Sequence, residues 1–425
     1  MSAERAGDRG AGLRDPAALA AVAQRVYDIC AGCRRCYNLC PSFTQLLDTI
    51  DERHDGDATT LSAAEERTVV DLCFSCQLCY PHCPYTPPHR WAVDFPRLML
   101  RSRVTRTVSE GVPLRERLLG NPELIGAVAT RMPAVANWAA RNRLLRALAE
   151  RLVGIDRRRR LPRYGPRFSS WFRRQTPPAG VGRTAKVALF YTTPVEYTAL
   201  ETGTAAVRVL WRNGVEVVCP PQRCCGMPAL DAGDVPAAVR RARFNIESLG
   251  RAIDAGYDVV VPGPTCSRML KQEYPLLVPG AAAERVAAHV FDLGEYLTRL
   301  HAAGQLDRRF GAGLGRVAYH APCHLRVQEI GFKARDLLRL VPDTSVEVLE
   351  RCTGMDGTWG FKQEFFDESV RVARPLVREL DEMAPSLIVS DCPLAALQLE
   401  QQRGQRVYHP VEALDAAYEG RSLPV

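Results

Sequence analysis

The chain has 425 residues, 46% hydrophobic and 24% charged, a globular composition with room for two to four domains. The opening residues mix charges with Gly and Ala, and no run reaches about 18 uninterrupted apolar residues, so neither a secretory signal nor a membrane-spanning helix is expected. The expected location is cytoplasmic, where fifteen cysteines serve as metal ligands rather than as disulfides.

Residues 16–110 carry eight cysteines and read as short helices joined by ligand loops, punctuated by Pro41, Pro81, Pro84, Pro87 and Pro88. Two runs share one spacing, Cys30-x-x-Cys33-x-x-Cys36-x-x-x-Cys40-Pro41 and Cys73-x-x-Cys76-x-x-Cys79-x-x-x-Cys83-Pro84. Three thiolates so spaced wrap three irons of one cubane, and the proline helps turn the chain so that the fourth cysteine reaches the other cluster. This predicts one [4Fe–4S] cluster on Cys30, Cys33, Cys36 and Cys83, and a second on Cys73, Cys76, Cys79 and Cys40. Structural zinc more often takes two separated cysteine pairs around one ion. The interval of about forty residues between the runs favours a helical ferredoxin module over the compact bacterial form.

Residues 111–184 read as a helical and basic linker region. Leu114, Leu118, Leu119 and Leu144, Leu145, Leu148, Leu152 recur at helical spacing. From Arg141 to Arg174 arginine recurs against only Glu150 and Asp156, and includes the run Arg157 to Arg160. That stretch is either a solvated linker or a basic surface for an anionic membrane, an acidic partner or nucleic acid.

Beyond residue 184, short β-branched runs alternate with helical stretches, the pattern of parallel βαβ units. This half repeats, which divides it into 185–312 and 313–425. Cys224-Cys-Gly-Met227 recurs as Cys352-Thr-Gly-Met355, and Cys266 after one strand matches Cys392 after another. Candidate ligands are Cys224, Cys225 and Cys266 in the first repeat, and Cys323, Cys352, Cys392, His320 and His324 in the second. A distorted polynuclear cluster, zinc, an iron site with an open position, and plain small apolar packing all remain open for these positions. His320 and His324 read equally as satisfied polar residues capping a helix. Cys219 lacks a counterpart and is read as structural, and His82 and His89 are read as packing residues.

Taken together, the two cubane runs, RCCGMP, PTCSRMLKQEYP, YHAPCHL, CTGMDGTWGFKQE, SDCPLAALQLE and YHPVEAL resemble the iron–sulfur proteins that join paired cubane motifs to two CCG domains. That family includes the C-lettered subunit of anaerobic glycerol-3-phosphate dehydrogenase and the heterodisulfide reductase-related proteins. The resemblance implies an α+β chain, with a helical two-cluster ferredoxin-like domain followed by a duplicated α/β CCG domain. It implies an electron-transfer subunit between a flavin-dependent dehydrogenase of glycerol-3-phosphate, lactate or glycolate type and quinone or another acceptor. A peripheral place on the inner membrane face goes with that role, and no nucleic acid is expected. The alternative is a heterodisulfide or thiol-disulfide reductase acting at the CCG sites. Thr193, Thr353 and Ala395 stand where the family pattern has cysteine, which weakens the case for a full noncubane cluster and with it the reductase reading.

Overall fold

The computed structural model describes residues 16–424. Its N-terminal module is helical: Pro16–Cys33, Pro41–Arg53, Ala63–Asp71, Cys79–His82 and Phe95–Glu110. Local chemistry sets several starts. Cys40 is extended (φ −161°, ψ 163°) because Pro41 follows it, and Pro41 opens the next helix, where its missing N–H costs nothing. Ser62 and Glu65 form a reciprocal capping box, and the Asp94 carboxylate accepts from the Arg97 amide at 2.9 Å. Val26, Tyr27, Leu46, Ile50, Val69 and Leu98 form the buried core, with Phe43 stacked on Phe95 at 4.2 Å. Cys30, Cys36, Cys40, Cys73, Cys79 and Cys83 fringe this core.

The C-terminal half holds two parallel sheets. The first contains β1 (Ala185–Leu189), β2 (Val215–Val218), β3 (Asp258–Val261) and β4 (Val290–Asp292) in the order β2-β1-β3-β4. The second contains β5 (Gly315–His320), β6 (Thr344–Leu349) and β7 (Leu387–Ser390) in the order β6-β5-β7. In both, the first strand is central and its two successors flank it in parallel, so the duplication read from the cysteine motifs is a duplication of topology. The helices Leu200–Arg212, Val235–Asp254 and Phe366–Met383 provide crossovers and cover the sheets, as near-continuous apolar strands such as β1 and β7 require. One apolar core spans both repeats, joining Val187, Leu210 and Val260 to Val317, Tyr319 and Leu414.

The part of the segment around the Arg157 to Arg160 run is packed against the second repeat. Ile155 pairs antiparallel with Lys362, while the Asp156 amide donates to the Phe361 carbonyl and the Gln363 amide to the Gly154 carbonyl, both at 2.9 Å. Arg159, from the middle of the basic run, is 2% exposed. Its guanidinium donates to the Gly360 carbonyl at 2.6 Å, to Ser369 Oγ at 2.8 Å and to Gln398. Arg158 pairs with Asp156 and Asp367, Arg157 with Glu150, and Arg160 with Glu400. The run straps the second repeat, and its charge is largely used internally.

Candidate metal centres

Cys30, Cys33 and Cys36 occupy the end of the first helix and the turn after it, where Arg34 takes a left-handed φ of 55°. They line one cavity together with Cys83, which arrives from the other run, and with Ile29, Phe43 and Leu47. Burial, then the neighbouring Cys83 and Cys33, pushes the Cys36 thiol up to about 11, and Cys30 is pushed up further by burial and by Cys36 and Cys83. Four thiols held this way ionise together only around a cation, so a positively charged metal cluster matches the donor set.

The second loop is wound tighter, with left-handed φ at Ser75 (57°) and Gln77 (61°). Cys73, Cys76 and Cys79 share its interior with Cys40, whose thiol is pushed up to about 12 by burial and then by Cys73. Burial also raises Cys79, with Cys73 and Cys40 as its next causes. Arg103 secures the loop, donating to the carbonyls of Val70, at 3.0 Å, and Cys73. Arg268, 2% exposed, reaches in from the first repeat to Gln77 and to Glu273 at 2.7 Å, while its Nε and Nη1 lack any described partner. A buried guanidinium with unpaired donors beside a thiol cluster suits a site that carries net negative charge once loaded.

In the second repeat Cys323, Cys352 and Cys392 follow β5, β6 and β7, at the carboxyl ends of parallel strands where ligands gather in open sheets. They also face the second loop. After burial, the largest influence raising Cys76 is Cys323, and Cys352 acts on both Cys76 and Cys40. His324 stands between the two halves, with Nε2 3.2 Å from the Ser75 carbonyl and Nδ1 3.0 Å from Thr265 Oγ1. His320 is likewise held, Nδ1 3.0 Å from Ser390 Oγ and Nε2 3.1 Å from the Arg351 carbonyl. Burial lowers both rings to about 4, so each is neutral, with one nitrogen donating and the other accepting. These contacts engage both ring nitrogens of each candidate histidine ligand. Sequence reasoning missed Asp356, which lies against Cys323; its only trace was the carboxylate in Cys352-Thr-Gly-Met-Asp356.

The first repeat differs. Cys224, Cys225 and Cys266 are 6%, 3% and 8% exposed and sit in an apolar core with Phe190, Met269 and Tyr274. The Cys266 thiol donates to the Cys225 sulfur at 3.2 Å, and the Thr193 hydroxyl donates to the Cys224 sulfur. The three thiols partner one another and Thr193.

Comparison with known proteins follows this division. Residues 23–109 match the Citrate utilization protein B Fer4-like domain, and residues 187–271 and 317–400 each match the Cysteine-rich domain. The C-lettered subunit of the anaerobic glycerol-3-phosphate dehydrogenase of Escherichia coli is 30% identical over 308 residues, covering 72% of this chain and 77% of the relative. The chain belongs to the family of that dehydrogenase subunit. Lactate utilization protein A of Geobacillus kaustophilus is 33% identical over 49% of this chain and 87% of its own. The B-lettered subunit of the fumarate reductase (CoM/CoB) of Methanothermobacter marburgensis is 28% identical over 55% of this chain and 47% of its own. Membership in this glycerol-3-phosphate dehydrogenase family, with a Fer4-like domain and two cysteine-rich domains, makes the chain an iron–sulfur protein of the oxidoreductase-subunit kind. Among the described residues no helix is long and apolar enough to cross a membrane.

Proposed function

We propose that the chain is an electron-transfer subunit holding one [4Fe–4S] cluster on Cys30, Cys33, Cys36 and Cys83 and a second on Cys73, Cys76, Cys79 and Cys40. It passes electrons from a flavin-dependent dehydrogenase toward quinone or another acceptor. The observation that carries this is the exchange of fourth cysteines: Cys83 lines the cavity of the first run, and Cys40 shares the interior of the second. Each cluster, when bound, takes up and releases one electron at a time. The chain's own residues hold the thiolates, keep the sites under apolar cover, and set Arg268 and Arg103 against the negative charge. The dehydrogenase partner rests on the relatives named as a glycerol-3-phosphate dehydrogenase subunit and a lactate utilization protein.

A peripheral place at an anionic membrane goes with this reading. Leu114, Met132, Trp138, Leu144 and Leu152 are 60–81% exposed, an unusual display of large apolar side chains on a soluble surface. Arg117, Arg131, Arg141, Arg143 and Arg151 are exposed along the same stretch, and none forms an ion pair among the described residues. Apolar groups interleaved with arginine suit the boundary between headgroups and acyl chains. The thiol-disulfide reductase alternative fits less well, because Cys225 and Cys266, 3.2 Å apart, are buried away from any substrate.

The assignment is tested by exchanging the crossing ligands. Cys83→Ser is expected to alter the EPR spectrum of the first centre alone, and Cys40→Ser that of the second alone. The reverse pattern would mean that each run supplies its own four ligands.

A further inference from the structure

The second repeat departs from the first at two neighbouring positions. Cys225 of the first repeat is matched by Thr353, and Pro228 is matched by Asp356. The repeat thus exchanges one thiol for a carboxylate three residues further along the same turn.

The fold brings that carboxylate to the remaining thiols. Cys323 Sγ, a His324 ring nitrogen and an Asp356 carboxylate oxygen lie within 4.8 Å of one another. Both His324 nitrogens are engaged by Ser75 and Thr265, which leaves Cys323 and Asp356 as the open donors of that group. Cys352 and Cys392 are near enough to feel the Asp356 charge. All four side chains lie deep in the protein yet keep some accessible surface. No described residue donates a hydrogen bond to the Asp356 carboxylate. Of the nearby cations, Lys362 is paired with Glu116 at 2.9 Å and Arg103 donates to the Cys73 and Val70 carbonyls, while Arg268 binds Glu273 and keeps two donors without a described partner; the Asp231 carboxylate also lies close enough to repel Asp356. A deep carboxylate without a hydrogen bond, beside three thiols, matches a metal site's donor set.

We propose that Asp356 is a metal ligand, which with the thiolates of Cys323, Cys352 and Cys392 holds an iron centre in the second repeat. The choice of iron rests on the relay reading, since this site adjoins Cys76 of the second cubane loop. The first repeat has proline at the matching position, so the two repeats differ in this donor.

The test uses the full chain, produced and purified without oxygen, with iron and zinc measured by elemental analysis and iron sites by Mössbauer spectroscopy. Asp356→Ala is expected to lose the iron of this centre, roughly a third of the total if it is a cluster, while the reducible EPR signals of the two N-terminal centres keep their size. Asp356→Asn, nearly the same shape, is expected to lose the same iron with unchanged circular dichroism. Asp356→Cys is expected to retain the iron and lose the oxygen-ligated Mössbauer component. Full iron and an unchanged spectrum in the alanine and asparagine variants overturn the proposal, as does zinc in place of iron at this site. The relay reading fails separately, through absence of the N-terminal signals from the wild-type chain.

Discussion

The His324 ring lies 3.2 Å from the Ser75 carbonyl, joining the residue after Cys323 to the residue before Cys76. One hydrogen bond thus ties the second cysteine-rich repeat to the turn that winds the second N-terminal cysteine loop. The contact holds a left-handed, non-glycine residue, φ 57°, in place from outside the loop. His324→Ala leaves the Ser75 carbonyl and the Thr265 hydroxyl without this partner, a cost of about 1–3 kcal/mol. Iron of the second centre is expected to reach a chelator faster than in wild type, at an unchanged rate for the first. Equal acceleration at both would mean a global loss of stability.

Arg268 offers an electrostatic prediction. Arg268→Met removes a buried cation and leaves Glu273 with Arg97 alone, at 3.2 Å, which is expected to cost about 3 kcal/mol. Loss of positive charge beside Gln77 disfavours the reduced, more negative cluster. Redox titration followed by EPR is expected to show the second centre's midpoint potential falling, with the first centre nearly still. An unchanged potential would place the guanidinium outside the field of that centre.

The exposed apolar stretch makes a prediction about membranes. Wild-type protein is expected to cosediment with vesicles containing anionic lipid and to be weakened, not abolished, by salt, because charge and apolar insertion both contribute. Leu144→Glu with Leu152→Glu is expected to abolish cosedimentation and leave both cluster signals intact. Binding that is indifferent to these substitutions would assign the stretch to a protein partner.

His409 gives a pH dependence remote from the cysteines. Its Nδ1 accepts from the Val411 amide at 3.1 Å, capping the helix Pro410–Tyr418, and its Nε2 is buried without a described partner. Burial lowers the ring to about 3, below the value of about 6.5 it has in the unfolded chain. The unfolded state therefore binds the extra proton first as pH falls. Stability is full above about pH 6.5 and is lost as pH drops toward 3, by about 1–2 kcal/mol at pH 5. His409→Asn keeps a capping side chain but removes the titration. Denaturation of this variant is expected to lose less stability between pH 7.5 and pH 5 than wild type, and an identical loss would refute the assignment.

The parts legible in the sequence were those with a local period. The cysteine spacing and its prolines mark the helical module, and the recurrence of Cys224-Cys-Gly-Met227 at Cys352-Thr-Gly-Met355 revealed a duplication that the sheets repeat as topology. What stayed hidden depends on contacts between segments far apart in the chain. Nothing local separates Arg159, buried against Phe366 and Gly360, from Arg157 beside it on the surface. His320 and His324 carry the residue type of a ligand, but partners on other elements take up their nitrogens. Asp356 became visible as a donor only when the turn after β6 was placed against Cys323.

Eight N-terminal cysteines are proposed to hold two redox-active cubanes. Iron analysis combined with stepwise reduction of the full chain under EPR, without oxygen, tests it most directly. At least about eight irons per chain are predicted, with two [4Fe–4S] signals that broaden each other once both are reduced. Fewer than about seven irons with no reducible signal, or zinc at these cysteines, would contradict it.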